Sequence, residues 1–197
     1  IPGFNFGYAD KNDNIFYISN GILPVRNEKY NWKGVVPGNT RETLWTEYHK
    51  TDELPQVLNP ESGYLYNANN TPFKSTSTNE NPNSKDYPKE MGYSLYDNNR
   101  STRIYELIES YEKIDFSDFK SIKFDYKYPT PFTFNFVDVN EIMEMNPDDY
   151  PDISDLIIEI QNWDRSTSSD SLGAGIFAIF YYNCLLYTSP SPRDTRR

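Results

Sequence analysis

Cysteine and histidine are nearly missing from this chain of 197 residues, which contains one of each. A disulfide within the chain needs two cysteines, so the single Cys184 excludes one. His49 stands among charged residues in the segment TEYHKTDE, a setting that predicts a solvated surface residue. The sequence also lacks HExxH, GxSxG and a glycine-rich phosphate loop, so it contains no complete catalytic set of those kinds.

Positive charge is scarce as well. Lys and Arg number 19 against 29 Asp and Glu, which gives a formal net charge of −10. Phosphate binding requires clustered Lys and Arg, so this balance argues against nucleic acid as a partner. Long apolar runs are also missing, because the longest candidate covers only residues 172–182 and a membrane span needs about 20 residues. The sequence therefore predicts neither a nucleic-acid nor a membrane partner.

Aromatic residues supply much of the apolar material that is present. Tyr and Phe number 17 and 12 in a chain that is only 37% hydrophobic, and each ring buries a large area. FNFGYAD at residues 4–10 and IFYIS at residues 15–19 flank the turn residues KNDN, which predicts a β-hairpin. YLY at residues 64–66 predicts a further short strand, and the polar residues 74–89 predict a long surface loop.

Helical periodicity dominates the second half. Behind a possible cap at Asn98 or Asn99, apolar residues recur at i, i+3, i+4 and i+7, namely Ile104, Leu107, Ile108 and Tyr111. Further helices are predicted at residues 116–125, from Pro151 or Asp152 onward, and after a cap at residues 170–171. Residues 130–139 stay open between strand and helix. Strands come first and helices follow, which indicates the α+β class.

The predicted helix after Pro151 carries an apolar stripe, and the last helix carries small residues that allow close packing. The stripe comprises Ile153, Leu156, Ile157, Ile160 and Trp163. The small residues are Gly173, Ala174, Gly175 and Ala178.

Three asparagines, Asn67, Asn69 and Asn70, lie within four positions in the segment YLYNANNTP. Asn is a poor strand former and a frequent turn residue, so the ordinary interpretation is a turn at the end of a strand. The functional interpretation is that amide N–H groups are neutral donors, suited to an oxyanion that exists only in a transition state. Taken alone, the residues favour the turn.

Five blocks of sequence, in a fixed order, extend this interpretation over nearly all of residues 4–182. The blocks are YADKNDNIFYISNGILPVR, NWKGVVPG, LPQVLNPESGYLYNANNTP, NNRSTRIYELI and WDRSTSSDSLGAGIFAIFYY. Together they resemble the β-chain of the penicillin acylase family, N-terminal nucleophile amidohydrolases that include acyl-homoserine lactone acylases. The most specific part is NPxSGY followed by NxNNxP.

The resemblance implies roles for two residues of this chain. The first Asn of the NN pair, here Asn69, donates its side-chain amide to the tetrahedral oxyanion. The Arg at the start of the following helix, here Arg100, lies near the nucleophile and orients the amine and the oxyanion Asn. Arg103 is the near alternative, but the helical pattern places it on a different face. Asn67 and Asn70 would then be structural.

The resemblance also implies an αββα fold, of which residues 1–183 form a partial β-chain. The nucleophile is a Ser freed by self-cleavage at the start of that chain, with its own α-amine as base. No suitable Ser precedes Phe4, so we expect it upstream. The implied partners are a small acyl amide substrate, such as a penicillin or an acyl-homoserine lactone, and the α-chain of the same precursor.

Location and cofactors follow from the same resemblance. Family enzymes are typically periplasmic or secreted, and they require no cofactor. Many bind a calcium ion near the chain interface, so the resemblance allows calcium here, and residues 85–90 lie near the expected region without a clear ligand set.

Both ends of the sequence suggest a fragment. The chain opens with Ile1 inside an aromatic run, and CLLYTSPSPRD within residues 184–197 resembles the in-frame translation of a transposase adapter used for sequencing libraries. Residues 184–197 are therefore predicted to be foreign to the natural protein, which should continue beyond Asn183. We expect the fragment itself to be inactive.

Two other interpretations stay open. A secreted carbohydrate-binding module would also be rich in Tyr and Trp with Asn and Asp turns. The helical second half and the wide separation of Trp32, Trp45 and Trp163 argue against it. A family member that has lost catalysis would share every block, and the sequence upstream of Ile1 would decide between an active and an inactive protein.

Overall fold

The two halves of the chain fold as separate units. The computed structural model describes residues 3–134 and 139–188. The chain divides into the units Ile1–Ser101 and Thr102–Arg197. The strands lie in the first unit and nearly all the α-helical residues lie in the second, so the fold is α+β, as the order of sequence patterns predicts.

A three-stranded antiparallel sheet organises the first unit. Its strands lie side by side in chain order, from Phe4–Ala9 (β1) through Ile15–Asn20 (β2) to Gln56–Leu58 (β3). Strands β1 and β2 form the predicted hairpin. The hairpin turn is closed by the Asp10 carboxylate, which accepts the backbone N–H groups of Asn12 and Asn14 at 2.8 and 3.1 Å. Hydrogen bonds to Asn14, through its side chain first, lower the pKa of Asp10 because they stabilise the charged carboxylate.

The central strand β2 and the edge strand β1 differ in exposure. Tyr17 in β2 is only 1% exposed and belongs to the core of the unit. The side chains of Phe4, Phe6 and Tyr8 alternate with their neighbours along β1, so they share one face, and they are 60%, 48% and 49% exposed. Within the described residues β1 pairs only with β2, so its outer edge is open.

The prediction of a strand at residues 64–66 is wrong. The third strand, β3 (Gln56–Leu58), lies earlier and pairs with β2. A hydrogen bond of 2.9 Å from Ser19 N to Pro55 O leads into this pairing. In the YLY segment Tyr66 N donates to Ser75 O at 2.9 Å, but the described residues form no strand pairing there.

Residues 74–89 form the predicted loop, which contains the short 3-10 turns Thr78–Glu80 and Ser84–Asp86. The prediction that this loop lies on the surface is wrong at its start, where Ser75 and Thr76 are 0% and 1% exposed. The prediction of a solvated His49 is wrong. Its side chain is only 12% exposed, and Nδ1 lies 3.2 Å from Glu53 Oε2.

Helix α1 (Asn99–Glu109) begins in the first unit and continues into the second, and α2 spans Phe116–Lys123. Both are close to their predicted bounds. Asp115 caps α2 because its carboxylate accepts the backbone N–H groups of Ser117 and Asp118 at 2.7 and 2.9 Å.

The α-helices that follow within the described residues are α3 (Val139–Glu144), α4 (Ser154–Asn162) and α5 (Leu172–Thr188). Residues 135–138, part of the stretch left open between strand and helix, lie outside the described residues. The predicted cap of α5 is confirmed, since Ala174 N donates to Ser171 Oγ at 3.3 Å.

The stripe predicted for α4 is partly wrong. Ile157, Ile160 and Trp163 are buried, but Ile153 and Leu156 are 45% and 48% exposed. Ile153 belongs to a tighter 3-10 turn, Pro151–Ile153, which shifts it out of phase with the α-helix that follows.

Aromatic rings form the core of the second unit, as the composition predicts. The buried cluster comprises Phe132, Val139, Trp163 and Phe177. Trp163 and Phe177 stack with ring centroids 5.4 Å apart, and Trp163 Nε1 donates to Ser166 O at 2.8 Å, which satisfies its only polar group.

Candidate active site

The asparagine loop is a bend whose shape is fixed by its own side chains. Asn70 is buried, at 6% exposure. Its Oδ1 accepts the N–H of Ala68 at 2.7 Å, and its Nδ2 donates to the carbonyls of Thr71, at 3.2 Å, and Lys74. Both polar atoms of the Asn70 amide are thus hydrogen-bonded inside the loop, so this side chain stabilises the loop and has no donor left for a substrate.

Asn67 connects the loop to the sheet. Its Oδ1 accepts the backbone N–H of Asn69 at 3.1 Å and Nδ2 of Asn5 in β1 at 3.0 Å. The amide of Asn67 therefore braces the backbone of Asn69 from the strand side.

Asn69 differs from both neighbours. Its backbone φ is 59°, in the left-handed region that Asn tolerates better than other residues with a side chain. Its side chain is exposed, and within residues 3–134 and 139–188 its Nδ2 donates to no other group. Two N–H donors of a firmly held residue are thus available to another molecule.

Arg100 determines which way this amide points. It is the second residue of α1, and its Nη2 donates to Asn69 Oδ1 at 2.9 Å. A guanidinium has donors and no acceptor, so only the oxygen of the amide can face it. The contact therefore directs Nδ2 of Asn69 away from Arg100.

Arg103, the alternative, lies elsewhere. Its Nε and Nη2 donate to the two carboxylate oxygens of Asp125, both at 2.9 Å, and its Nη1 lies 3.3 Å from Glu106 Oε2. These carboxylates occupy the guanidinium, so the structure brings Arg100 to Asn69 and pairs Arg103 with acidic side chains.

The start of α1 is held by a short polar network. Asp97 Oδ1 accepts from Asn98 N at 3.1 Å and from the hydroxyl of Ser101, which is fully buried. Lys74 Nζ lies 3.6 Å from Asp97 Oδ2. A carboxylate at this end of a helix is favourable because the first turn carries unsatisfied N–H groups.

Sequence reasoning missed the role of Asn98. It was expected only as a cap, but its Nδ2 also donates to the carbonyls of Ala68 and Asn69, at 3.1 and 3.2 Å. The only signal in the sequence was the pair Asn98 and Asn99 directly before Arg100. That this pair meets the asparagine loop depends on the fold and cannot be read from the sequence.

The expectation of calcium gains no support from acidic side chains. Among the described residues, no group of three or more His, Cys, Asp or Glu side chains lies close enough to share a metal ion. Calcium also binds backbone and amide oxygens, so its binding stays an expectation from the family resemblance.

Two of the tryptophans that a carbohydrate-binding module would present lie against Arg26, although Trp45 is still 54% exposed. The guanidinium of Arg26 lies over the rings of Trp32 and Trp45, at 5.7 and 5.5 Å from their centroids. Trp163 is buried in the second unit.

Comparison of this chain with known proteins identifies its family. A model of the family described as penicillin amidase matches residues 1–190. The chain belongs to the penicillin amidase family. Penicillin G acylase of Escherichia coli is 40% identical over 70 residues, which are 36% of this chain and 8% of that protein. The resemblance predicted from the five blocks is thereby confirmed.

A solved penicillin amidase structure shows the same fold. The thermostable penicillin G acylase from Alcaligenes faecalis superposes with a TM-score of 0.54 at 21% identity. The match covers 84% of this chain and 28% of that structure, so the chain spans under a third of its length.

Two further observations bear on the ends and surfaces of this penicillin amidase chain. Helix α5 runs to Thr188 and the family match to residue 190, both past Asn183. The foreign origin of residues 184–197 stays a prediction. Among the described residues, no helix combines the length and apolarity needed to cross a bilayer.

Proposed function

We propose that the protein containing this chain hydrolyses acyl amides, with Asn69 as an oxyanion donor. The observation that supports this most directly is the 2.9 Å hydrogen bond from Arg100 to Asn69 Oδ1. Because the guanidinium holds Oδ1, the Nδ2 donor of Asn69 points away from Arg100. The side chain is exposed, and the backbone of Asn69 is held by Asn67. Donors fixed in advance stabilise developing negative charge without reorganisation during the reaction.

The reaction is an acyl transfer in two steps. A Ser at the start of the β-chain, upstream of this sequence, attacks the amide carbonyl, and its own α-amine accepts the proton. Asn69 Nδ2 and a backbone N–H then hold the tetrahedral oxyanion, and the amine departs with a proton. Water attacks the acyl-enzyme and releases the acid and the free Ser.

Arg100 is a positioning residue in this scheme. Its guanidinium fixes the direction of the Asn69 amide, and its positive charge lies one side chain away from the oxyanion. A neutral amide at the oxyanion itself is advantageous because a cation there would also bind anions in the ground state.

The remaining assignments follow from family membership. The sheet and helices of this chain form part of an αββα fold completed by other segments, including the α-chain of the precursor. The substrate is a small acyl amide, such as a penicillin or an acyl-homoserine lactone, and the enzyme acts in the periplasm or outside the cell. The reaction requires no cofactor, and the family resemblance allows a bound calcium ion whose ligands stay unassigned.

The test uses the full-length precursor with Asn69→Ala and Asn69→Gly. Loss of one oxyanion donor should lower kcat by about 100–1000-fold. Gly adopts a φ of 59° without steric cost, so it removes the side chain and leaves the backbone relaxed. Both variants should fold and self-cleave, and both should be slow against chromogenic 4-nitroanilides of phenylacetic, butyric and octanoic acid.

Asn79→Ala is the matched control, because Asn79 is an exposed amide in the same unit. It should match the wild type. Activity of Asn69→Ala and Asn69→Gly within tenfold of wild type would contradict the oxyanion role. A precursor without a Ser at the cleavage site would favour a family member that has lost catalysis.

A further inference from the structure

One side chain joins the asparagine loop to the helix that carries Arg100. Asn98 directly precedes α1, and its Nδ2 donates to two successive carbonyls, Ala68 O at 3.1 Å and Asn69 O at 3.2 Å. The other end of the same amide, Oδ1, accepts the N–H of Ser101 at 3.1 Å. That second contact is the usual N-cap bond to the third helical residue.

The orientation of the Asn98 amide is fixed at both ends. Backbone carbonyls only accept hydrogen bonds and the Ser101 N–H only donates, so a flipped amide would lose all three contacts. The backbone N–H of Asn98 is itself held, since it donates to Asp97 Oδ1 at 3.1 Å and lies 3.3 Å from Ser101 Oγ. Asn98 is therefore a rigid connection.

We propose that Asn98 is a positioning residue that presents the Asn69 amide to the oxyanion, a role that rests on the proposed function of Asn69. The left-handed backbone of Asn69 turns its carbonyl and that of Ala68 toward the start of α1, where Asn98 binds both. With the backbone fixed in this way, only the two side-chain torsions of Asn69 stay free, and Arg100 fixes those through Oδ1.

The contacts of Asn98 and of Arg100 constrain different parts of Asn69. Asn98 sets where Asn69 stands relative to α1, and Arg100 sets which way its amide faces. Because Asn98 and Arg100 lie two residues apart on one helix start, the spacing between both attachments is constant. A donor held at two points satisfies the requirement that catalytic groups stay within a fraction of an ångström of their working position.

The experiment separates positioning from helix capping. Asn98→Asp and Asn98→Ser keep a cap acceptor for Ser101 N, because Asp and Ser are as good N-caps as Asn. Neither can bridge the two carbonyls: Asp has no side-chain donor and Ser is too short. In the full-length enzyme, we expect Tm to stay near the wild-type value, KM to change little, and kcat to fall by about 10–100-fold.

A double-mutant cycle with Asn69→Ala makes the test specific. If Asn98 acts through Asn69, Asn98→Ser should cause no further loss of kcat in the Asn69→Ala enzyme, because the group it positions is gone. Asn146→Ser is the control, since Asn146 is an exposed cap in the second unit whose Oδ1 accepts Asp148 N at 3.3 Å. It should leave kcat unchanged in both backgrounds.

Three results would overturn the proposal: wild-type kcat in both Asn98 variants, losses that multiply with that of Asn69→Ala, or losses fully explained by a lower folded fraction. The proposed function fails differently, through an active Asn69→Ala enzyme. If Asn98→Ser does not fold, Asn98→Asp carries the same comparison, because Asp retains both the size of Asn and the cap.

Discussion

At the scale of single residues, a donor-only side chain decides the chemistry of the site. An exposed amide in water presents its oxygen and its nitrogen almost equally well, because the two ends have the same shape. Beside Arg100, one orientation of Asn69 gains a charge-assisted hydrogen bond and the other places donors against donors. The guanidinium thus converts an ambiguous amide into a directed one.

Replacing Arg100 tests this effect. Arg100→Ala should lower kcat by about 10–100-fold, since hydrogen bonds to charged groups contribute roughly 1.5–3 kcal/mol. Arg100→Lys should lose less, because an ammonium also only donates. Arg41→Ala removes an exposed arginine of the first unit and serves as the control. Equal losses in the Ala and Lys variants would show that the direction of the amide is not what Arg100 contributes.

The pairing of Asn69 with Arg100 followed from family blocks and not from spacing. The two residues are 31 positions apart, and periodicity describes only neighbours along one element. The turn character of Asn67 and Asn70 did follow from residue type. The contact of Asn98 with the loop could not, because an Asn directly before a helix is already explained as a cap.

At the scale of elements, α5 packs closely against Trp163, the residue that follows α4, at the position of Gly173. A Cβ built on Gly173 would lie 2.5 Å from Cγ of Trp163, closer than real side chains approach. The prediction that small residues in this helix allow close packing holds at Gly173. It does not hold at Gly175, where nothing lies within 4 Å of the added atom.

The two glycines form a matched pair for measurement. Gly173→Ala should lower the free energy of unfolding by about 1–3 kcal/mol, because overpacking displaces the Trp163 ring. Gly175→Ala should raise it by up to about 1 kcal/mol, because Ala suits a helix better than Gly. Urea unfolding followed by tryptophan fluorescence compares them. A Gly173→Ala variant as stable as Gly175→Ala would disprove the close contact.

Elements with a strong repeat were predictable and short paired ones were not. Helix α1 follows from an unbroken 3.6-residue pattern behind a polar cap. Strand β3 has three residues and exists because β2 lies beside it, a long-range pairing that no local pattern reveals. The YLY segment carries strand-forming residues, but among the described residues it belongs to no strand, so propensity alone misplaced the strand.

At the scale of the whole molecule, the many carboxylates make the free energy of unfolding depend on pH. Arg103 hydrogen-bonds both oxygens of Asp125 and holds the pKa of that carboxyl below its ordinary value. Contacts with basic, hydroxyl or backbone donors lower several other carboxyl pKa values, including those of Glu42, Glu53 and Asp164. A carboxyl with a depressed folded pKa stabilises the protein above its unfolded pKa, and this contribution disappears as pH falls through the folded value.

The free energy of unfolding should therefore fall as pH drops below about 4, near the unfolded pKa of Asp and Glu. Asp125→Asn should be less stable at pH 7 and should lose less on acidification, since it has one fewer proton to take up. Urea titrations between pH 7 and pH 3 measure both slopes. Parallel curves for the wild type and Asp125→Asn would refute the contribution of this ion pair.

The open margin of β1 has a practical consequence for anyone who produces this chain alone. A row of three solvent-facing rings beside an edge that is unpaired among the described residues is a template on which a second copy can extend the sheet. Self-association would then compete with correct folding at high concentration. A dilute preparation, or a charged residue placed at Phe6, would keep the chains apart.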